Sequence, residues 1–105
     1  PKIHRSLREG RLIELASVTT AANTLAPRTS HEMNLAIIRE RVDEVVLVTD
    51  EEMREAARWL WFETGVAAEL SGAAALAALL AGKVPVEEVR AACAVVCGAG
   101  TDGLG

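Results

Sequence analysis

Two stretches decide how this chain is read: Glu69-Leu70-Ser71-Gly72-Ala73-Ala74-Ala75-Leu76-Ala77-Ala78-Leu79, and further on Cys97-Gly98-Ala99-Gly100-Thr101-Asp102. In the first, an acidic segment enters an apolar run through Ser-Gly. Residues 66–69 are expected as a short strand, with Ser71 capping a helix over about 72–81 that Gly82 and Lys83 close. That helix is apolar almost all round, so it should be buried on most sides. In the second, the apolar run 94–97 reads as a buried strand that breaks into glycines. Between them, Pro85 opens a helix over about 86–92, with Glu87 and Glu88 where the helix dipole favours acids.

Working back towards the start, Thr49 and Glu52 have the spacing of a capping box. The helix they begin runs to about Thr64 and stops at Gly65, with Met53, Ala56, Ala57 and Leu60 on its inner face. Trp59 and Phe62 lie off that stripe and are expected to pack on a neighbouring element or subunit. Residues 45–48 form a continuous apolar run, the pattern of a strand buried on both faces. Thr29 and Glu32 form another capping box, for a helix to about Arg41 with Leu35, Ile38 and Val42 on one face. Before it, 6–10 reads as a helix tail, 11–16 as extended and 22–28 as loop. The alternation predicts an α/β fold, a small parallel sheet covered by helices, in one domain over 1–105.

Composition narrows the function classes. The chain has 105 residues, half of them hydrophobic but only 3% aromatic, and a net charge of −4. The hydrophobic share disfavours disorder, and the charge disfavours nucleic acid or an anionic membrane as partner. The most apolar run, 73–81, is too short to span a bilayer. An alanine-rich core buries little area per residue, and that shortfall is met by association, so a homo-oligomer is expected. With no secretory signal read, the expected location is the cytoplasm. Pro1 suits either a short reading frame that has lost its initiator Met or a piece of a longer chain.

Cys93 and Cys97 sit four apart, on one face of the expected strand. No second pair or nearby His completes a metal set, and a disulfide within one strand is geometrically poor. Buried free thiols in a reducing compartment are the expectation. Cys97-Gly98-Ala99-Gly100 falls at the carboxyl edge of the sheet, where open α/β sheets bind ligands, and its glycines permit close approach of a flat ring or an anion. The plain alternative is a turn. The Ser71-Gly72 helix start suits a small anion or an ordinary cap. Glu69 is a site residue if it lines a cleft and an ordinary one on a rim. His4 and His31 read as solvated surface residues. The lysines, Lys2 and Lys83, do not sit in the desolvated setting that a Schiff-base lysine requires.

Taken in order, these segments resemble the C-terminal part of the catalytic domain of the pyridoxal-phosphate (PLP) dependent threonine/serine dehydratases. Val42-Asp43-Glu44-Val45-Val46-Leu47-Val48-Thr49-Asp50-Glu51-Glu52 is similar to that family's strand and following helix. Ser71 through Leu80 is similar to its Ser-Gly-Ala-Ala-Ala-Leu-Ala-Ala-Leu run, and Cys97-Gly98-Ala99 to its Ser/Cys-Gly-Gly/Ala run. The resemblance implies part of a fold type II large domain, like the tryptophan synthase β subunit, and a lyase of amino-acid metabolism performing β-elimination and deamination. It implies three cofactor-binding residues: Cys97 at the pyridine nitrogen, Glu69 as a carboxylate near the cofactor, and Gly98 keeping backbone close to the ring. A neutral thiol leaves the ring nitrogen unprotonated, a milder electron sink.

The chain also departs from the family pattern. Asn23-Thr24 replaces an Asp-Gly, Leu70 a usual Pro, and Gly100 a usual Asn. The family's Ser-Phe-Lys motif, Asn-His substrate loop, glycine loop for the phosphate and divalent-metal segment would all lie upstream of Pro1. The expectation is therefore a truncated dehydratase relative with no catalytic residue of its own, no metal and no covalently held PLP. The alternatives are a non-catalytic α/β module that binds itself or a partner, and a binder of a small anion or amino acid.

Overall fold

The computed structural model describes residues 32–88 and 90–105. They fall into two compact units, 32–47 and 48–105. The readings made for 1–31, including His4, His31, Lys2, Asn23-Thr24 and the Thr29 cap, lie outside the described residues.

In the first unit, α1 spans Glu32–Arg41, with Glu32 in its first turn and Arg39 and Arg41 in its last, as the helix dipole favours. Leu35 is buried, Ile38 half-buried and Val42 exposed, so the expected apolar face narrows towards the C-terminus. The Val42 N–H donates to the Ile38 carbonyl at 2.9 Å and closes the last turn.

The second unit is built on α2, Asp50–Thr64. Its start is the capping box read from sequence: the Glu52 N–H donates to Thr49 Oγ1 (3.1 Å) and the Thr49 N–H donates to Glu52 Oε1 (2.8 Å). Its end is Gly65 in the left-handed region (φ 73°), whose N–H reaches the Trp61 carbonyl. Met53, Ala56, Ala57 and Leu60 are all buried, as the spacing predicts. They pack with Ala68, Leu70, Ala73 and Ala77 into a core that is alanine at five of eight positions. Few large side chains therefore carry the burial, and each matters more. Trp59 and Phe62 stay exposed on the other side of α2, with the Arg58 guanidinium 5.9 Å from the Phe62 ring centroid.

The helix expected over 72–81 is shorter and begins differently. Ser71–Ala73 is a 3₁₀ turn, and α3 follows over Ala74–Leu80. Ser71 makes no side-chain cap. The Leu70 N–H, one residue before that turn, donates to the Asp102 carboxylate, which lies 32 residues away in sequence. Leu80 is exposed, so α3 is buried on one face rather than all round. Gly82 (φ 70°) ends it, and the Lys83 N–H donates to the Ala78 carbonyl. Lys83 Nζ also donates to Glu52 Oε1 at 2.8 Å, tying the end of α3 to the start of α2. That bond, and then the Thr49 N–H, hold the Glu52 carboxyl below the usual carboxylate range. After Pro85 the chain makes a 3₁₀ turn, Val86–Glu88, rather than a helix to residue 92. Ala91 and Ala92 are exposed, so no buried face holds a longer helix there.

The expected parallel sheet does not appear among the described residues. Segments 45–48, 66–69 and 94–97 carry no ladder, and the one β-bridge is antiparallel, Ala68 with Ala99. An apolar run becomes a buried strand only when strands on both sides take up its backbone groups. Here Leu47 and Val96 are exposed, and Val95 is 70% exposed. What remains of the expected α/β layering is the helical layer and the extended segments.

Candidate functional site

The Ala68–Ala99 bridge lays the C-terminal tail against the segment that enters α3. Around it the Glu69 N–H donates to the Gly98 carbonyl (2.9 Å) and the Gly100 N–H to the Ala67 carbonyl (3.2 Å). This is the pattern of a non-hydrogen-bonded antiparallel pair, the closest approach two strands make. One step further out, the Cys97 N–H donates to the Gly72 carbonyl at 3.3 Å.

Glycines make this approach possible. A Cβ on Gly72 would overlap the Cys97 carbonyl, and one on Gly98 would overlap the Glu69 carboxylate. A Cβ on Gly100 would come within 2.8 Å of Glu69 Cβ. Gly98 is also left-handed (φ 76°), a conformation costing an L-residue about 1–2 kcal/mol. The half-buried Glu69 side chain therefore lies across Gly98 and Gly100 as across an open floor. Further along, Gly103 is buried where a Cβ would overlap the Ala57 carbonyl, seating the tail directly on α2.

Backbone bonds and contacts thus bring together all three residues named from sequence. Glu69 is against Gly98, and Cys97 follows one residue before it, bonded to Gly72. Both thiols are free and exposed, which corrects the expectation that they are buried: the strand meant to bury them has no ladder. The Ser71-Gly72 turn gains no support as an anion cradle. Its neighbouring Leu70 amide is occupied by a carboxylate, and the Ala73 amide by the Glu69 and Leu70 carbonyls. Among the described residues no cluster of three or more His, Cys, Asp or Glu is placed to hold a metal ion, and no helix is long and apolar enough to cross a membrane.

Two features escape sequence reasoning. Asp102 has no local signature, because its partner is far away in the chain. Gly72 and Gly103 each look like ordinary turn or loop glycines, whereas each is required by a backbone passing beneath it.

An extended segment, a glycine-lined crossing and a following apolar helix define the class of architecture, and comparison with known proteins identifies it. The family model for pyridoxal-phosphate dependent enzymes matches residues 1–98, and the chain belongs to that family. It is 39% identical over 80 residues to the L-threonine ammonia-lyase of Geobacter sulfurreducens, covering 76% of this chain and 20% of that protein. It is 30% identical over 100 residues to the phenylserine dehydratase of Ralstonia pickettii, covering 95% of this chain and 31% of that protein. Among solved structures, a threonine deaminase from T.th. superimposes with a TM-score of 0.73 at 34% identity, over 80% of this chain and 29% of that one. The chain thus spans between a fifth and a third of the curated relatives it matches.

The residues present suit one part of a PLP site. An exposed thiol beside a left-handed glycine suits contact with a ring nitrogen, while the space that the missing Cβ atoms leave at 98 and 100 is occupied by Glu69, whose side chain must turn aside from Gly98 for a flat ring to lie there. An amine for the cofactor's aldehyde is not among these residues. Lys83 is bonded to Glu52, and Lys2 lies outside the described residues.

Proposed function

We propose that this chain forms the floor of a PLP site in an amino-acid lyase of the threonine/serine dehydratase type, and that alone it does not carry out the elimination. The observation behind this is the crossing of Glu69 and Cys97-Gly98, the three residues the family resemblance assigns to the cofactor, at one glycine-lined backbone contact. When bound, PLP supplies an electron sink for β-elimination and deamination of a hydroxy-amino acid. This chain's own contribution is positional. Cys97 Sγ would contact the ring nitrogen, where a thiol in place of a carboxylate would make the ring a milder electron sink. Gly98 would keep backbone close to the ring. Glu69 holds a carboxylate at the rim, where its backbone N–H is already committed to Gly98.

Catalysis needs in addition a lysine to hold the cofactor covalently and a phosphate-binding loop, and neither is among the groups at this crossing. The exposed Phe62 and Val95 suit burial by association, with a second copy of the chain as the expected partner. The two free thiols suit a reducing compartment such as the cytoplasm.

The test is to incubate the 105-residue chain with PLP and L-threonine, assay 2-oxobutyrate, and trap adducts with borohydride. The expected result is no product above a PLP-only control and no stoichiometric adduct. Turnover, or one trapped cofactor per chain, would contradict the reading.

A further inference from the structure

The site is held together by a contact that the family resemblance does not assign. Asp102 Oδ2 accepts a hydrogen bond from the Leu70 N–H at 2.9 Å. Leu70 is a core residue, 3% exposed, flanked by Glu69 on one side and by the Ser71–Ala73 turn on the other. Asp102 lies four residues beyond Gly98, between the bridge at Ala99 and the seat of Gly103 on α2. Among the described residues the tail is thus fixed at four successive points: the backbone bonds of the bridge, the carboxylate on Leu70, Gly103 against the Ala57 carbonyl, and the Gly105 carbonyl accepting from the Arg58 guanidinium at 3.1 Å. Of these, the carboxylate bond is the one made by a side chain of the tail itself, so it can be removed without touching the backbone that makes the site.

We propose that Asp102 is a positioning residue, a latch that holds the Cys97-Gly98 turn in register against Glu69. The proposal rests on the reading of Glu69, Cys97 and Gly98 as a cofactor floor, because that reading gives the register its purpose. A charged acceptor on an amide is among the stronger hydrogen bonds, and here it bridges segments 32 residues apart. Without it the tail keeps the backbone pairings of the bridge on one side and the Gly103 and Gly105 contacts with α2 on the other, and the crossing between them opens more often as a local event.

The experiment is amide hydrogen exchange by NMR on the full chain, comparing the parent with Asp102→Ala and Asp102→Asn. In Asp102→Ala, exchange at Glu69, Leu70, Cys97 and Gly100 should speed up about tenfold, while amides of Ala56 and Leu60 in α2 do not change. Asn keeps an acceptor oxygen and should restore rates to within about threefold of the parent. Unchanged exchange at the crossing, equal acceleration in α2, or no rescue by Asn would each overturn the latch. If Asp102→Ala does not fold, the parent alone decides, since an unprotected Leu70 amide also overturns it. A parallel titration with PLP separates the two claims. If the exchange pattern is as expected but PLP perturbs no amide in any variant, the latch stands and the cofactor reading falls. If PLP perturbs Cys97 and Gly98 equally, at equal concentration, in the parent and in Asp102→Ala, the cofactor reading stands and the positioning role falls.

Discussion

Gly72→Ala should destabilise the second unit by about 3 kcal/mol, at the upper end of what overpacking a well-filled interior costs. The new methyl would occupy the position of the Cys97 carbonyl, with the Cys97 carbonyl carbon 2.7 Å away and the Gly98 carbonyl oxygen 2.9 Å away. All three atoms are backbone, so no side chain can rotate out of the way. Either the tail leaves, breaking the Cys97 N–H to Gly72 bond and straining the bridge, or the Ser71–Ala73 turn lifts from the core, where Gly72 and Ala73 are buried. The midpoint of thermal unfolding, followed by circular dichroism, should fall by about 12–24 °C for a unit of this size. A fall of under about 2 °C would show that the two segments do not cross this closely. Gly65→Ala is the useful comparison: position 65 is left-handed but a methyl there would meet nothing within 4 Å, so only the conformational cost applies.

Leu60→Ala should cost about 3 kcal/mol for a different reason. Leu60 is one of three large side chains in a core whose other five members are alanines. The five alanines have no rotamer with which to fill a cavity here, and only Met53 and Leu70 within the core and Val48 and Leu76 at its edge can swing towards it, so much of the transfer and cavity cost is kept. Leu60→Met preserves volume and should cost under about 1.5 kcal/mol. The checks are urea midpoints at constant slope. Equal midpoints for Leu60→Ala and the parent would mean that α2 does not pack on this core.

These expectations bear unevenly on what the sequence can show. The whole of α2 is legible because its signals are local: Thr49 and Glu52 three apart, Gly65 after the last turn, four buried residues at helical spacing. The sheet is not, because an apolar run reports a preference for burial, while a strand exists only through partners elsewhere, and among the described residues 45–48 and 94–97 form no ladder. Ser71 fails as a cap for a related reason. A cap competes with every other acceptor in reach, and the amides that Ser71 would cap are already taken by backbone carbonyls, Ala73 by Glu69 and Leu70 and Ala74 by Ser71 itself. Motif resemblance is what points to Glu69, Cys97 and Gly98. It does not reveal the antiparallel crossing that joins them, since Ala68 and Ala99 carry no signal of mutual contact.

The central claim is that the crossing of Glu69 with Cys97-Gly98 is where PLP is met. Its most direct test is a titration of the ¹⁵N-labelled chain with PLP, following backbone amides. Shifts that grow with concentration at Glu69, Cys97 and Gly98, with α2 unmoved, are the predicted result. Saturating PLP that leaves those three amides in place, or that moves only residues around Lys83 by reaction with its amine, would contradict it.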